Sequence, residues 1–183
     1  RLTRARVDVA GVVLPPVLND VLIAHPSPGA VSRYSVHVPR KEEKDEGSDR
    51  SAASGDGAEN KASRDSRRPL WFHVRSSGLR VCTAAGSTAA MRSAGGEPMH
   101  YSSRELQFMD REPIYFDHAP PPSSGHGFYS EHETMTFRWN SRAGTVFLDG
   151  AHVTHDVQMG DLVSISADAP QLRDPTVEGY HIT

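Results

Sequence analysis

The dipeptide Asp149-Gly150 lies between two runs of alternating apolar and polar residues, Thr145 to Leu148 and His152 to Val157. An Asp-Gly pair between such runs is the strongest short-range signal for a β-hairpin, because both residues tolerate the positive φ of a type I′ turn. Similar short runs recur at Ala5 to Leu14, Asp20 to Ala24, Val31 to Val38, Leu70 to Val74, Leu79 to Thr83, Thr134 to Trp139 and Leu162 to Ile165. Their number and spacing predict a mainly β, antiparallel domain.

One or two short helices are predicted beside these strands. We expect a helical turn that runs to about Ser93 and ends at Gly95-Gly96. A second is expected near Ser103 to Met109, where three apolar side chains are available for packing. Neither helix is long enough to dominate the fold, so the sheet is expected to carry the core.

Residues 40–69 differ in composition from the rest of the chain. They contain eight basic and eight acidic side chains, and alanine is the only apolar type among them. Such a stretch cannot form a core, so we expect a disordered insertion in a loop of a single domain spanning residues 1–183. A solvated spacer and a regulatory or partner-binding segment are both compatible with it, the spacer being the more common. Residues 118–133, with three consecutive prolines, predict a second surface loop.

Charge, hydropathy and cysteine content limit the classes of partner. The formal net charge of −3 supplies no basic field for nucleic acid or for an anionic membrane, and no apolar run approaches the length of a membrane span. The single cysteine, Cys82, is typical of a reducing compartment. We therefore expect an intracellular, cytoplasmic protein. The chain does not begin with methionine, so we also expect it to be the C-terminal part of a longer protein, for which an organelle stays possible.

The run from Arg75 to Gly96 is the first candidate site. Between Ala84 and Ala90 no side chain is larger than threonine, so the segment buries little apolar area. Gly86 permits close approach to the backbone, and hydroxyls are supplied by Thr83, Ser87 and Thr88. The segment lacks the Gly-Lys-Ser/Thr of a P-loop. The residues alone fit a ligand-binding turn and a closely packed strand–helix junction equally well.

Asn19-Asp20 is the second candidate, because it lies between apolar residues. Such a pair is most often a turn or bulge, but its amide and carboxylate could also bind the hydroxyls of a sugar. His152 and His155 are the nearest histidine pair, and on a strand their spacing places them on opposite faces. We therefore expect no metal site. For Cys82, a buried inert thiol is favoured over a nucleophile.

Taken together, these segments resemble the C-terminal domain of the NAD kinases. Three anchors follow the order of that family. They are Leu18-Asn19-Asp20, then Gly78 through Gly96, and last Arg111-Glu112-Pro113-Ile114 with Asp149-Gly150 and Gly160-Asp161-Leu162-Val163. The middle anchor is long and specific, and its wording is similar to that of the plant NADH-kinase branch.

The resemblance implies an antiparallel, β-sandwich-like domain and phosphoryl transfer from ATP, with Mg²⁺, to the 2′-hydroxyl of the adenosine ribose of NAD or NADH. It also implies small-molecule nucleotide partners and a homo-oligomer. The residues implied in dinucleotide binding are Asn19, Asp20, Ser77, Thr83, Ala85, Gly86, Ser87, Thr88, Ala89 and Ala90. A non-catalytic nucleotide-binding or regulatory relative is the alternative.

Several positions depart from the family pattern. Ser77 stands where most members have aspartate, and Ala90 replaces a tyrosine that stacks on the nucleotide. Ala84-Ala85 replace Pro-Thr, and Ala151 replaces a common glutamine. The family's Gly-Gly-Asp-Gly motif, which carries the catalytic aspartate, does not occur in these residues. The resemblance therefore implies no catalytic residue in this chain, an aspartate upstream of it, and little activity from the chain alone.

Overall fold

The computed structural model describes residues 1–38, 70–115 and 125–172, and these residues form twelve β-strands and one short helix. The strands are β1 (Arg6–Val9), β2 (Val12–Val13), β3 (Asp20–Ala24), β4 (Ser32–Val38), β5 (Leu70–Ser76), β6 (Gly78–Cys82), β7 (Leu106–Arg111), β8 (His126–Tyr129), β9 (Thr134–Trp139), β10 (Ala143–Leu148), β11 (Val153–Gln158) and β12 (Leu162–Ser166). The helix is Ser87–Met91, in which the backbone of Ala89 departs from helical geometry.

The strands form two antiparallel sheets. Sheet I has the order β2-β1-β12-β9-β4-β5, and sheet II has the order β11-β10-β3-β6-β7-β8. In sheet I the first strand pairs with the last, and Leu2 forms a bridge with Leu172 beyond them. One apolar cluster joins the two sheets, so the described residues form a β-sandwich.

The core follows from alternation along the strands. On β9, Met135, Phe137 and Trp139 are buried, while the residues between them face outward. The Trp139 ring stacks on Tyr34 with centroids 6.2 Å apart. A Cβ at Gly144 would lie 2.4 Å from the same indole, so only glycine fits under this ring.

A buried polar contact also ties the sheets together. The hydroxyl of Tyr34 on β4 donates to Oδ1 of Asp110 on β7, 2.5 Å away, and lies 3.0 Å from the Ser76 hydroxyl. Burial raises the pKa of Asp110, an effect that the Tyr34 hydrogen bond partly offsets.

The prediction of a mainly β, antiparallel fold is confirmed. Strands β10 and β11 form the predicted hairpin. Leu148 pairs with Val153, so Asp149 and Gly150, with φ values of 50° and 117°, begin a four-residue turn rather than the two-residue turn of type I′. The helical turn that ends near Gly95-Gly96 is also present.

The predicted helix near Ser103 to Met109 is wrong, because strand β7 begins at Leu106. Leu106 is buried in the core, whereas Gln107 is equally buried on the other face. The Gln107 side chain is covered there by Glu97, with which it exchanges two hydrogen bonds. Burial on both faces hides the period of two from which a strand is recognised.

Two further boundaries are corrected. The single strand predicted from Ala5 to Leu14 is divided into β1 and β2 by a turn at Ala10 and Gly11, both with positive φ. The loop predicted at 118–133 contains the edge strand β8 in its second half. The insertion predicted at 40–69 lies outside the described residues. In the described part of the chain no helix is long and apolar enough to cross a membrane.

Candidate functional site

The loop before β3 is held by the hairpin turn after β10. The Asp149 carboxylate accepts hydrogen bonds from three successive backbone N–H groups, those of Leu18 at 2.8 Å, Asn19 at 2.6 Å and Asp20 at 3.2 Å. The Asp149 N–H in turn donates to the Asp20 carbonyl at 3.0 Å. The Asn19 side chain is thereby presented on an exposed loop with a fixed backbone.

The small-residue turn after β6 packs against the same loop. The Thr83 N–H donates to the Asn19 carbonyl at 3.0 Å, and the Thr83 hydroxyl donates to the Leu18 carbonyl at 2.5 Å. A Cβ at Gly86 would lie 2.2 Å from the Asn19 carbonyl oxygen. The structure therefore brings together the two segments that the sequence singled out.

Within the turn, buried and exposed residues have different tasks. Ser87 is fully buried, and its hydroxyl donates to the Ala84 carbonyl at 2.8 Å and accepts from the Met99 N–H at 2.9 Å. The hydroxyls of Thr83 and Ser87 are thus used to fix the turn. Thr88, Ala89 and Ala90 are exposed, whereas Ala85 is half-buried.

The outer face of sheet II carries a row of four directly paired residues. Phe147, Leu22, Arg80 and Met109 lie side by side on β10, β3, β6 and β7. Met91 of the helix packs on this face against Met109 and Cys82. Burial raises the pKa of the Cys82 thiol to about 12, in keeping with the predicted inert thiol.

Two pockets open on this face, and we call them pocket A and pocket B. Pocket A has a volume of about 340 Å³ and is lined by Asp20, Leu22, Arg80, Phe147, Gly150 and Ala151. Pocket B has a volume of about 420 Å³ and is lined by Arg80, Ala90, Ser93, Ala94, Met109, Asp110, Arg111 and Glu112. Each volume lies in the range of small-molecule sites.

Arg80 and Asp20 form an ion pair at the wall of pocket A. Their side chains are only 15% and 22% exposed, so the pair is partly desolvated. Burial raises the pKa of the Asp20 carboxyl, the Arg80 guanidinium opposes that shift, and the nearby Asp149 charge adds to it.

Ser77 is the one predicted site residue that lies far from the others. It precedes β6, whereas Thr83 follows it, and a strand of this length separates them by about 20 Å. The Ser77 N–H and hydroxyl both donate to the Arg111 carbonyl, at 2.8 and 3.2 Å. Ser77 thus contacts the backbone of a residue that lines pocket B.

Sequence reasoning missed two residues of this site. Arg80 alternates with apolar neighbours as any outward-facing strand residue does, so nothing marked it. Asp149 is predicted from the sequence as a hairpin residue within a family anchor and not as a site residue, although its carboxylate binds a loop 130 positions away. Among the described residues no group of three or more His, Cys, Asp or Glu could hold a metal ion.

The chain is similar in sequence to two curated proteins. The chain is 40% identical over 173 residues to a protein of Oryza sativa subsp. japonica named "Probable NADH kinase", a match that covers 94% of this chain and 46% of that protein. It is 51% identical over 104 residues to "NADH kinase" of Arabidopsis thaliana, covering 57% of this chain and 32% of that protein. The chain thus spans less than half the length of these curated relatives. No family model matches it.

Two solved structures share the fold. Yeast NADH kinase complexed with NADH superposes with a TM-score of 0.64 at 12% identity, over 95% of this chain and 42% of that one. An NAD kinase from Archaeoglobus fulgidus in complex with ATP gives a TM-score of 0.58 at 18% identity, over 91% of this chain and 51% of that one. With the motifs in family order and the sandwich in place, the chain belongs to the NAD kinase family.

Proposed function

We propose that the protein containing this chain transfers the terminal phosphoryl group of ATP to the 2′-hydroxyl of the adenosine ribose of NAD or NADH, giving NADP or NADPH. This chain supplies the dinucleotide-binding half of the site. The observation that carries the proposal is the junction at Asn19. There the Asp149 carboxylate and Gly86 hold the exposed Asn19 loop against the small-residue turn, beside pocket A.

The residues around this junction have the chemistry that a nucleoside needs. The Asn19 amide can both donate to and accept from ribose hydroxyls or a base edge, and the Asp20 carboxylate can accept from a hydroxyl. Exposed Thr88, Ala89 and Ala90 offer a low, small-residue surface for a flat ligand. The buried residues Thr83, Gly86 and Ser87 and the half-buried Ala85 fix the turn, and Ser77 acts at the far end of β6 through Arg111.

Phosphoryl transfer depends mainly on positioning and on neutralising charge. We propose that this chain positions the ribose, while an aspartate upstream of it activates the 2′-hydroxyl. Mg²⁺ enters bound to the ATP phosphates, since it is commonly held by substrate phosphates with one or two carboxylates. The Asp20 and Asp149 carboxylates are already engaged, one by Arg80 and the other by backbone N–H groups. We further propose a homo-oligomer and an intracellular site of action, where ATP and NADH are supplied.

The test is an assay of the full-length protein with ATP and each redox form of the dinucleotide, following NADP or NADPH. Asn19→Ala and Thr88→Ala are each expected to raise the KM for the dinucleotide about 3- to 10-fold, the effect of one lost hydrogen bond. Thr134→Ala changes another exposed threonine, on sheet I, and should leave the KM unaltered.

Two results would overturn the proposal. One is the formation of no NADP or NADPH from either dinucleotide. The other is a full-length sequence without Gly-Gly-Asp-Gly upstream of Arg1.

A further inference from the structure

Among the described residues, Arg80 alone lines both pockets. It occupies the middle of the outer face of sheet II, paired with Leu22 of β3 on one side and with Met109 of β7 on the other. Neighbouring strands lie about 4.8 Å apart, so the row from Leu22 to Met109 spans only about 10 Å. The two pockets are therefore adjacent parts of one surface with a guanidinium between them.

The residues proposed to contact the dinucleotide lie in both pockets, on either side of Arg80. Asp20, proposed to contact the ribose, lines pocket A, whereas Ala90, also proposed to contact the dinucleotide, lines pocket B. A ligand that meets both residues must pass over Arg80. In a dinucleotide, the group between its two nucleosides is a diphosphate.

The Arg80 guanidinium has N–H donors that its contact with Asp20 does not use. It carries five N–H groups, and its hydrogen bond among the described residues runs from Nη1 to Asp20. Among those residues, the indole nitrogen of Trp139 is the only buried side-chain nitrogen or oxygen without a partner. The remaining Arg80 nitrogens are therefore accessible, and the Asp20 contact fixes the plane in which they lie.

We propose that Arg80 binds the diphosphate of the dinucleotide, an assignment that rests on the proposed function. A planar guanidinium suits this task because its N–H fork matches phosphate oxygens bidentately. It is also the only cationic side chain that lines pocket A within the described residues, since Arg111 lines pocket B alone. Because the diphosphate is the same in NAD and NADH, Arg80 contributes equally to the binding of both.

The experiment compares two competitors of NADH on the full-length protein, with NADH fluorescence as the readout. ADP-ribose contains the diphosphate, and adenosine lacks it. Arg80→Met is expected to weaken ADP-ribose binding about 10- to 100-fold, the effect of losing hydrogen bonds to a charged group, while adenosine binding changes less than about twofold. Arg80→Lys, which keeps the charge but not the fork, should give a smaller loss of the same selectivity.

Arg104→Met is the matched control. Arg104 forms an ion pair with Glu131 at 2.7 Å, so this variant also removes one guanidinium and breaks one pair, but it lines neither pocket. Both competitors should bind it as they bind the unchanged protein.

Equal losses for ADP-ribose and adenosine in Arg80→Met would overturn the proposal, because they would mean that Arg80 only positions Asp20. Unchanged binding of both would overturn it as well. If Arg80→Met does not fold, the selectivity of Arg80→Lys decides between the same outcomes. The two failures can be told apart. If the unchanged protein phosphorylates NADH but Arg80→Met does not weaken ADP-ribose binding more than adenosine binding, only the assignment of Arg80 is refuted. If the unchanged protein has no kinase activity, the proposed function is refuted.

Discussion

Asp149 and Asn19 lie 130 positions apart in the chain, yet Oδ1 of the Asp149 carboxylate accepts a hydrogen bond from the Asn19 backbone N–H at 2.6 Å. The same carboxylate also binds the N–H groups on either side of Asn19. Backbone N–H groups that bind one carboxylate cannot move independently. The position of the Asn19 side chain is therefore set by a residue of another strand pair.

We expect Asp149→Asn to lower the free energy of unfolding by about 1–2 kcal/mol, because a charged acceptor of three N–H groups is replaced by a neutral amide. Asparagine tolerates the positive φ at this position, so the hairpin turn is kept. Thermal unfolding and the KM for NADH are the measurements, and the KM should rise. Asp161→Asn is the control, since Asp161 accepts from the Gln158 N–H at 2.8 Å and lines neither pocket. An equal rise of the KM in both variants would contradict the prediction.

Gly86→Ala tests the packing of the turn against the Asn19 loop. The φ of Gly86 is −84°, which alanine adopts freely, so the variant isolates the 2.2 Å contact of its Cβ with the Asn19 carbonyl oxygen. We expect a loss of about 1–3 kcal/mol from overpacking and a raised KM for NADH. In the control Gly29→Ala the new Cβ meets nothing within 4 Å, and stability should hold or rise slightly. The prediction fails if the two variants unfold at the same temperature.

Cys82 should resist alkylation in the folded protein. Burial raises the pKa of its thiol to about 12, so the reactive thiolate is scarce at pH 8. Because the folded-state pKa is raised, the contribution of Cys82 to stability is complete below pH 9 and is lost as the pH rises towards 12. Mass spectrometry of the peptide containing Cys82, after alkylation at pH 8 with and without denaturant, gives the comparison. Rapid labelling without denaturant would refute the assignment of an inert thiol.

Tyr34→Phe should destabilise the protein more at pH 7 than at pH 4. The variant removes the hydroxyl that donates to the Asp110 carboxylate, and the pKa of this buried carboxyl, already raised, rises further. A raised folded-state pKa makes stability fall as the pH rises through it. The variant should therefore lose more free energy of unfolding where Asp110 is ionised, about 1–3 kcal/mol. Denaturant unfolding at the two pH values measures the difference.

Tyr129→Phe is the matched control for Tyr34→Phe. Tyr129 is also buried, and its hydroxyl makes no hydrogen bond among the described residues. The decrease in the free energy of unfolding of Tyr129→Phe should be small and similar at both pH values. A pH-independent loss in Tyr34→Phe would count against the role given to its hydroxyl.

Local pattern was enough to predict the strands that have one clear buried face. The β10–β11 hairpin was predictable because Asp and Gly tolerate the positive φ that Asp149 and Gly150 adopt in its turn. Strand β7 was missed because Gln107 is covered by residues that precede it, and no local pattern shows that cover. The edge strand β8 was hidden beside a proline-rich stretch.

For the candidate site too, the individual segments were predictable from the sequence and the contacts between them were not. The motifs around Asn19 and Gly86 were visible along the chain, because each is a short run of unusual composition. Their contact was not visible, since it depends on the register of β3 with β6, and neither was the ion pair of Asp20 with Arg80. Sequence resemblance could suggest that these segments act together, but only the paired strands explain how they meet.

The bridge between Leu2 and Leu172 has a consequence for how such a unit is built into a larger protein. Their backbones exchange hydrogen bonds of 2.9 and 3.1 Å, so the two ends of the described sandwich emerge side by side. A polypeptide that continued at both ends would leave and return through one place, with the sandwich as an inserted lobe on a double-stranded stem.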